Sequence, residues 1–249
     1  MIFLLTSLSL TFALFSNKYF FEWSDHRENF VNVRHSKHID MCSTLEDDTG
    51  GIDTCQEGSD LLFQATASGL IVKSDDKHSY VLTAAHFCDV TLSIESFYPS
   101  EAIDSEMWVS TTSETNSIGD VVLFDHDSDL CLIRTKVHKK AKTIEFSEMP
   151  DIGDKIYAIS SPLNISENGV LLHFEGFFSG CDPYGLCFYT IPATHGSSGS
   201  IVFNRSGKAI GMIQMIPSEF DSVSMGAGYH DIKKFLKKAE SMLDVKFSI

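Results

Sequence analysis

Basic charge is scarce in this chain. Lys and Arg together number 19 against 34 Asp and Glu, giving a formal net charge of -15 at pH 7. Nucleic acid is therefore not expected as a partner, because phosphate binding needs a basic surface, and the acidity reads as solubility. The histidines and cysteines are scattered without paired ligand spacing, so no metal site and no cofactor are expected. Apart from two β-rich halves, no long repeat is visible. A clean membrane span is also lacking: Ile2 to Phe15 is apolar apart from Thr and Ser, short of the ~20 residues a spanning helix needs. What is there is 249 residues, 43% of them hydrophobic, with 19 Phe. That is enough to bury a sizeable core and to exclude global disorder.

The N-terminal run has the length of a secretory h-region. No Lys or Arg precedes it, and no Ala-x-Ala site follows. Residues 1–21 are therefore read as a signal peptide or an uncleaved membrane anchor, and the protein as secreted or extracytoplasmic. Six cysteines agree with an oxidising compartment. Cys181 and Cys187 enclose a Pro/Gly turn and are the first candidate pair; Cys42 and Cys55 flank an acidic Gly-Gly loop and are the second. Cys88 and Cys131 either pair or stay buried thiols.

Residues 22–60 are polar, acidic and poor in periodic apolar positions, and read as an N-terminal extension: a linker, pro-segment or surface wrap. Regular structure is expected from Leu61. Short strand-like runs follow at 61–66, 68–72, 79–83, 91–96, 107–111, 120–124 and 130–134. After a polar connection at 135–147 they resume at 155–159, 170–178, 186–191, 200–203 and 209–215. The turn Asn204-Arg-Ser-Gly207 joins the last two as a hairpin. From Asp231 to Leu243, apolar residues at 232, 235, 236, 239, 242 and 243 share one helical face. The expectation from the residues is an all-β chain with a C-terminal helix.

Three stretches carry chemistry. Thr194-His-Gly-Ser-Ser-Gly-Ser200 places serines between glycines just before a β-branched strand; free glycine backbones let amides converge on one point, as a developing oxyanion requires. Val81-Leu-Thr-Ala-Ala-His86 is an apolar run ending in a turn with a histidine. Asp127-Ser-Asp129-Leu-Cys-Leu-Ile133 is an aspartate entering a buried strand, with Asp125 or Asp127 as alternatives in another register. Histidine, aspartate, serine is one of the chain orders of a nucleophilic triad. An α/β-hydrolase needs serine first and alternating helices, and this chain has neither.

Thr83-Ala-Ala-His86, Asp129-Leu130 and Gly196-Ser-Ser198-Gly199 resemble the three active-site blocks of the chymotrypsin/trypsin-like serine proteases, over roughly residues 61–243. Ser68-Gly69 and Gly226-Ala-Gly-Tyr-His-Asp-Ile-Lys-Lys-Phe-Leu236 are similar to the HtrA-like and viral branches. The resemblance implies two six-stranded antiparallel β-barrels, at about 61–140 and 150–230, before the helix at 231–243. It implies Ser198 as nucleophile, His86 as general base and acid, Asp129 as the group that orients it, and the amides of Gly196 and Ser198 as oxyanion hole. By the same resemblance Pro192 and Ala193 lie at the base of the S1 pocket and residues 213–216 and Ala227 form its walls. Ala193, Gln214, Met215 and Ile216 are the substrate-binding candidates, and His195 approaches the S1 rim.

No acidic residue stands in that pocket, so an uncharged P1 side chain is expected. The family's digestive members carry an aspartate before the serine to receive a newly cut N-terminus; Ser197 stands there instead, so activation by that ion pair is not expected. The partner is then a protein or peptide substrate, cleaved by a serine endopeptidase. The rival reading is a silent protease-like fold used as a binding module. Asn164-Ile-Ser166 and Asn204-Arg-Ser206 are glycosylation sequons if the host is eukaryotic.

Overall fold

A computed structural model describes residues 26–39, 61–89, 103–113, 116–136, 138, 141–166, 170–218 and 220–249. The strand expectation at 91–96, the Cys42/Cys55 pair and the segment 1–21 lie outside these residues. Among the described residues no helix is long and apolar enough to cross a membrane.

The first barrel is closed, in the order β1-β2-β3-β6-β5-β4. Its strands are β1 (Phe30–Ile39), β2 (Leu61–Ser74), β3 (His78–Ala84), β4 (Ile103–Thr111), β5 (Asn116–Asp125) and β6 (Leu130–Lys136). All neighbours are antiparallel. The second sheet runs β11-β10-β7-β8-β9-β12, from β7 (Lys155–Ser160), β8 (Leu172–Cys181), β9 (Leu186–Tyr189), β10 (Ile201–Asn204), β11 (Ala209–Met212) and β12 (Ser224–Ala227). Bridges Gly211↔Gly228 and Met215↔Met225 bring its ends together, so it is a nearly closed barrel. Among the described residues the chain also forms the one-turn helix α1 (Ala85–Cys88), a 3-10 turn (Pro162–Asn164) and the 15-residue C-terminal helix α2 (Tyr229–Leu243). The all-β, two-barrel expectation with its C-terminal helix describes this molecule.

The structure places a strand where the sequence reads as an extension. Inward positions of β1 alternate Val31, Val33, His35, Lys37, all buried. Two of the four are polar, so the apolar period breaks halfway, yet the strand pairs along its length with β2 and β4. β12 (Ser-Met-Gly-Ala) also has no signal in the sequence; glycine stands at 226 because a Cβ there would run into the Met212 carbonyl.

β3, β6 and the Leu70–Val72 part of β2 read as continuous apolar runs because both of their faces are buried. Ile71, Val81, Cys131 and Ile133 fill the first barrel, whereas Leu70, Leu82, Leu130 and Leu132 face a second cluster. That cluster includes Tyr157 and Phe203 of the second barrel and Phe235 and Leu236 of α2. Each fully buried leucine is worth about 1.5–3 kcal/mol, against about 0–1 kcal/mol for a surface ion pair. Hydrophobic burial therefore holds the barrels together, and the candidate site lies where β3 ends and β6 begins. Past Leu243 the chain turns at Asp244 in the left-handed region, and Glu240 on α2 accepts the Phe247 N–H at 2.9 Å.

Candidate active site

Antiparallel pairing of Ala84 with Leu130 brings together His86 and Asp129, 43 residues apart in sequence. One residue beyond that pair, the Ala85 N–H donates to the Asp129 carbonyl at 3.1 Å. The Asp129 carboxylate accepts the His86 backbone N–H at 2.7 Å and lies 2.8 Å from His86 Nδ1. As an acceptor-only carboxylate it fixes the proton on Nδ1, which leaves Nε2 as the basic nitrogen. The His86 side chain is 51% exposed and that of Asp129 22%, so solvent or a substrate reaches the imidazole while the carboxylate is partly covered. Asp125 instead accepts from Ser128 Oγ at 2.9 Å, and Asp127 is exposed.

Asp129 has φ +49°, unusual for a residue with a side chain. Its carbonyl is held from a second side: Gln214 Nε2 donates to it at 2.6 Å and to the Ser128 carbonyl at 2.8 Å. A disulfide joins Cys88 to Cys131, tying the turn that carries His86 to the strand that follows Asp129. A second disulfide joins Cys181 to Cys187, directly opposite each other on β8 and β9.

Ser198 sits on the turn between Gly196 (φ +89°) and Gly199 (φ +87°). Its carbonyl accepts the Ser68 N–H at 2.9 Å, which docks the second-barrel turn onto β2. A Cβ at Gly199 would run into the Ser68 carbonyl and Thr83 Oγ1, so glycine is required there. Ser198 Oγ donates to the Gln214 carbonyl at 3.2 Å; no hydrogen bond joins it to His86 among the described residues. Ser197, 1% exposed, accepts the Thr194 N–H through its hydroxyl at 3.2 Å.

On the expected substrate side, Ala193 is buried and its N–H donates to the Asp221 carbonyl at 3.0 Å. Ile213 and Ala227 are buried, whereas Pro192 and His195 are exposed. Gln214 is buried, Met215 is 46% exposed, and Ile216 packs on the second-barrel core. The N–H groups of Gln214 and Met215 both donate to the Met225 carbonyl, at 2.9 and 3.1 Å. Among the described residues no three His, Cys, Asp or Glu side chains gather as a metal-ligand group.

Sequence reasoning missed Asn32 in this region, named Gln214 only as a substrate-binding candidate, and met Ser68 only in the family resemblance. The Gln214 side chain acts across 85 residues of sequence. Asn32 and the Ser68 hydroxyl reach the segment 161–164 and the serine turn from the first barrel. No local signal marks contacts that join a strand to turns more than 90 residues away in sequence.

Two barrels with this cluster between them define a known class. The trypsin-like peptidase domain profile matches residues 67–212, and the chain belongs to that family. In fold it is similar to the crystal structure of a serine endoprotease from Yersinia pestis. That similarity has a TM-score of 0.63 at 17% identity and covers 90% of this chain and 67% of the other. None of the curated protein sequences compared with the chain is a match.

Proposed function

We propose that the protein is a serine endopeptidase using His86, Asp129 and Ser198. The observation that carries this reading is the Asp129 carboxylate bound twice to His86 at the barrel junction where the Ser198 turn docks. His86 Nε2 takes the proton from Ser198 Oγ as that oxygen attacks the scissile carbonyl carbon, and Asp129 stabilises the imidazolium. The tetrahedral oxyanion is met by the N–H groups of Gly196 and Ser198. Return of the proton to the leaving amine breaks the C–N bond and leaves an acyl ester, which water then hydrolyses by the same path.

The Ser198–Gln214 contact fits a resting state. An extended substrate that pairs with the 214–216 backbone as an added strand offers an N–H to the Gln214 carbonyl and releases Ser198 Oγ to His86. Catalytic hydrogen bonds commonly tighten only when substrate binds. Buried Ala193, Ile213 and Ala227 favour an uncharged P1 side chain. Two disulfides suit an oxidising compartment, in line with export directed by residues 1–21 as signal peptide or anchor. The protease domain is then 61–243 together with β1.

The test is a fluorophosphonate probe and a mixed peptide library applied to the protein and to Ser198→Ala. Labelling and cleavage present in the first and lost in the second, by up to roughly a millionfold in rate, are expected. Protein that folds yet neither labels nor cleaves would sink the reading and favour a binding module.

A further inference from the structure

The two N–H groups assigned to the oxyanion have no acceptor among the described residues, and their directions are set by what holds the opposite ends of their peptides. A trans peptide points its C=O and N–H in opposite directions. The His195 carbonyl accepts the Leu163 N–H at 2.7 Å, so the Gly196 N–H faces away from residues 161–164. The Ser197 carbonyl accepts the Ser200 N–H at 3.1 Å, which orients the Ser198 N–H in the same manner. Between them, the Gly196 carbonyl accepts from Ser68 Oγ at 2.8 Å. Three successive peptide planes are thereby fixed, without the aspartate and N-terminal ion pair for which this sequence has no residue.

The Leu163 anchor is itself held from the first barrel. Leu163 and Asn164 have φ of +52° and +63°, conformations that persist only where the surroundings over-determine them. Asn32 Nδ2, on β1, donates to Asn164 Oδ1 at 2.9 Å and to Ser161 Oγ at 3.1 Å. The Ser161 N–H donates to Ser68 Oγ at 2.9 Å, closing the network beneath the serine turn.

We propose that Asn32 and Asn164 are positioning residues for the oxyanion site, holding residues 161–164 so that Leu163 keeps the His195–Gly196 peptide turned the productive way. This rests on the reading of Ser198 as nucleophile. A mispointed Gly196 amide weakens the transition state and spares ground-state binding, so kcat falls while KM stays.

The experiment measures kcat, KM and thermal midpoint on one peptide substrate for the wild type, Asn164→Gly, Asn164→Asp and Asn32→Ala. Glycine keeps the left-handed backbone and removes the acceptor; aspartate restores an acceptor oxygen. Both remove the 164–166 sequon, so aspartate also controls for a lost glycan. Asn164→Gly and Asn32→Ala are expected to lower kcat about tenfold or more with KM within about twofold, and Asn164→Asp to recover most of it. Because Asn164 is only partly buried, its variants test the inference even if Asn32→Ala fails to fold. Full kcat in Asn164→Gly, a loss carried by KM, or an equal loss in Asn164→Asp overturns the inference while the endopeptidase reading stands. A wild type that neither cleaves nor labels overturns both.

Discussion

Gln214 shows how one side chain can couple two barrels. Its N–H donates to Met225, its carbonyl receives Ser198 Oγ, and its amide bonds the carbonyls of Ser128 and Asp129. Asp129 sits at positive φ, so its backbone needs outside support, and Gln214 supplies one of two hydrogen bonds to its carbonyl. Gln214→Ala is expected to cost about 1–3 kcal/mol by stripping a donor from buried carbonyls, and to lower kcat/KM by about tenfold. Gln214→Met fills the same volume without the donor. Urea unfolding and peptide hydrolysis on both variants check this; wild-type behaviour of the methionine variant would show that volume alone matters. Gly199→Ala tests the turn differently. The added methyl meets the Ser68 carbonyl at φ +87°, so the second barrel should fail to dock, visible as lost soluble protein or a greatly lowered thermal midpoint.

At the level of elements, the Cys88–Cys131 disulfide spans 43 residues and Cys181–Cys187 spans 6. In the chain-entropy model those separations correspond to about 4 and about 2 kcal/mol. The first also ties α1 to β6 beside His86 and Asp129, whereas the second closes a hairpin in the other barrel. Replacing both cysteines of the 88–131 pair by alanine should therefore lower stability and peptide hydrolysis more than the same change at 181 and 187, read from urea midpoints and rates on the two double variants. Equal losses would make the longer bridge a general staple with no bearing on the site. The elements also show what a sequence displays. β3 and β6 were legible because burial on both faces makes them uninterrupted apolar runs, and those runs led to His86 and Asp129 at their ends. The helix was legible from its single apolar face. β1 was not, since His35 and Lys37 occupy inward positions. The Asn32–Asn164 contact, which depends on β1, was hidden with it.

For the molecule as a whole, buried imidazoles set the response to acid. His35 is held below its usual 6.5 by burial first and by the Lys37 charge, against a pull the other way from the Phe87 carbonyl. Burial likewise depresses His138, helped by Lys136. When the folded value is depressed, the unfolded chain takes up the proton first, so stability is present above 6.5 and is lost as pH falls through that value. Glu240 adds a later loss: its carboxylate is held below 4.5 chiefly by the Phe247 N–H, so its contribution fades only below that pH. At the alkaline end burial holds the Tyr189 phenol far above its ordinary 10.0, so stability falls again once the unfolded tyrosine ionises. A competing effect has the opposite sign: a chain of net charge -15 repels itself less as acid neutralises it. Salt separates the two, because self-repulsion is screened and imidazole desolvation is not. The urea midpoint should therefore be lower at about pH 5.5 than at about pH 7.5, and the drop should persist in high salt. His35→Gln, which can still donate to the Phe87 carbonyl and accept from Ser105, should shrink the drop. A midpoint that rises on acidification in low salt and goes flat in high salt would mean that surface charge, and not the buried histidines, governs the molecule.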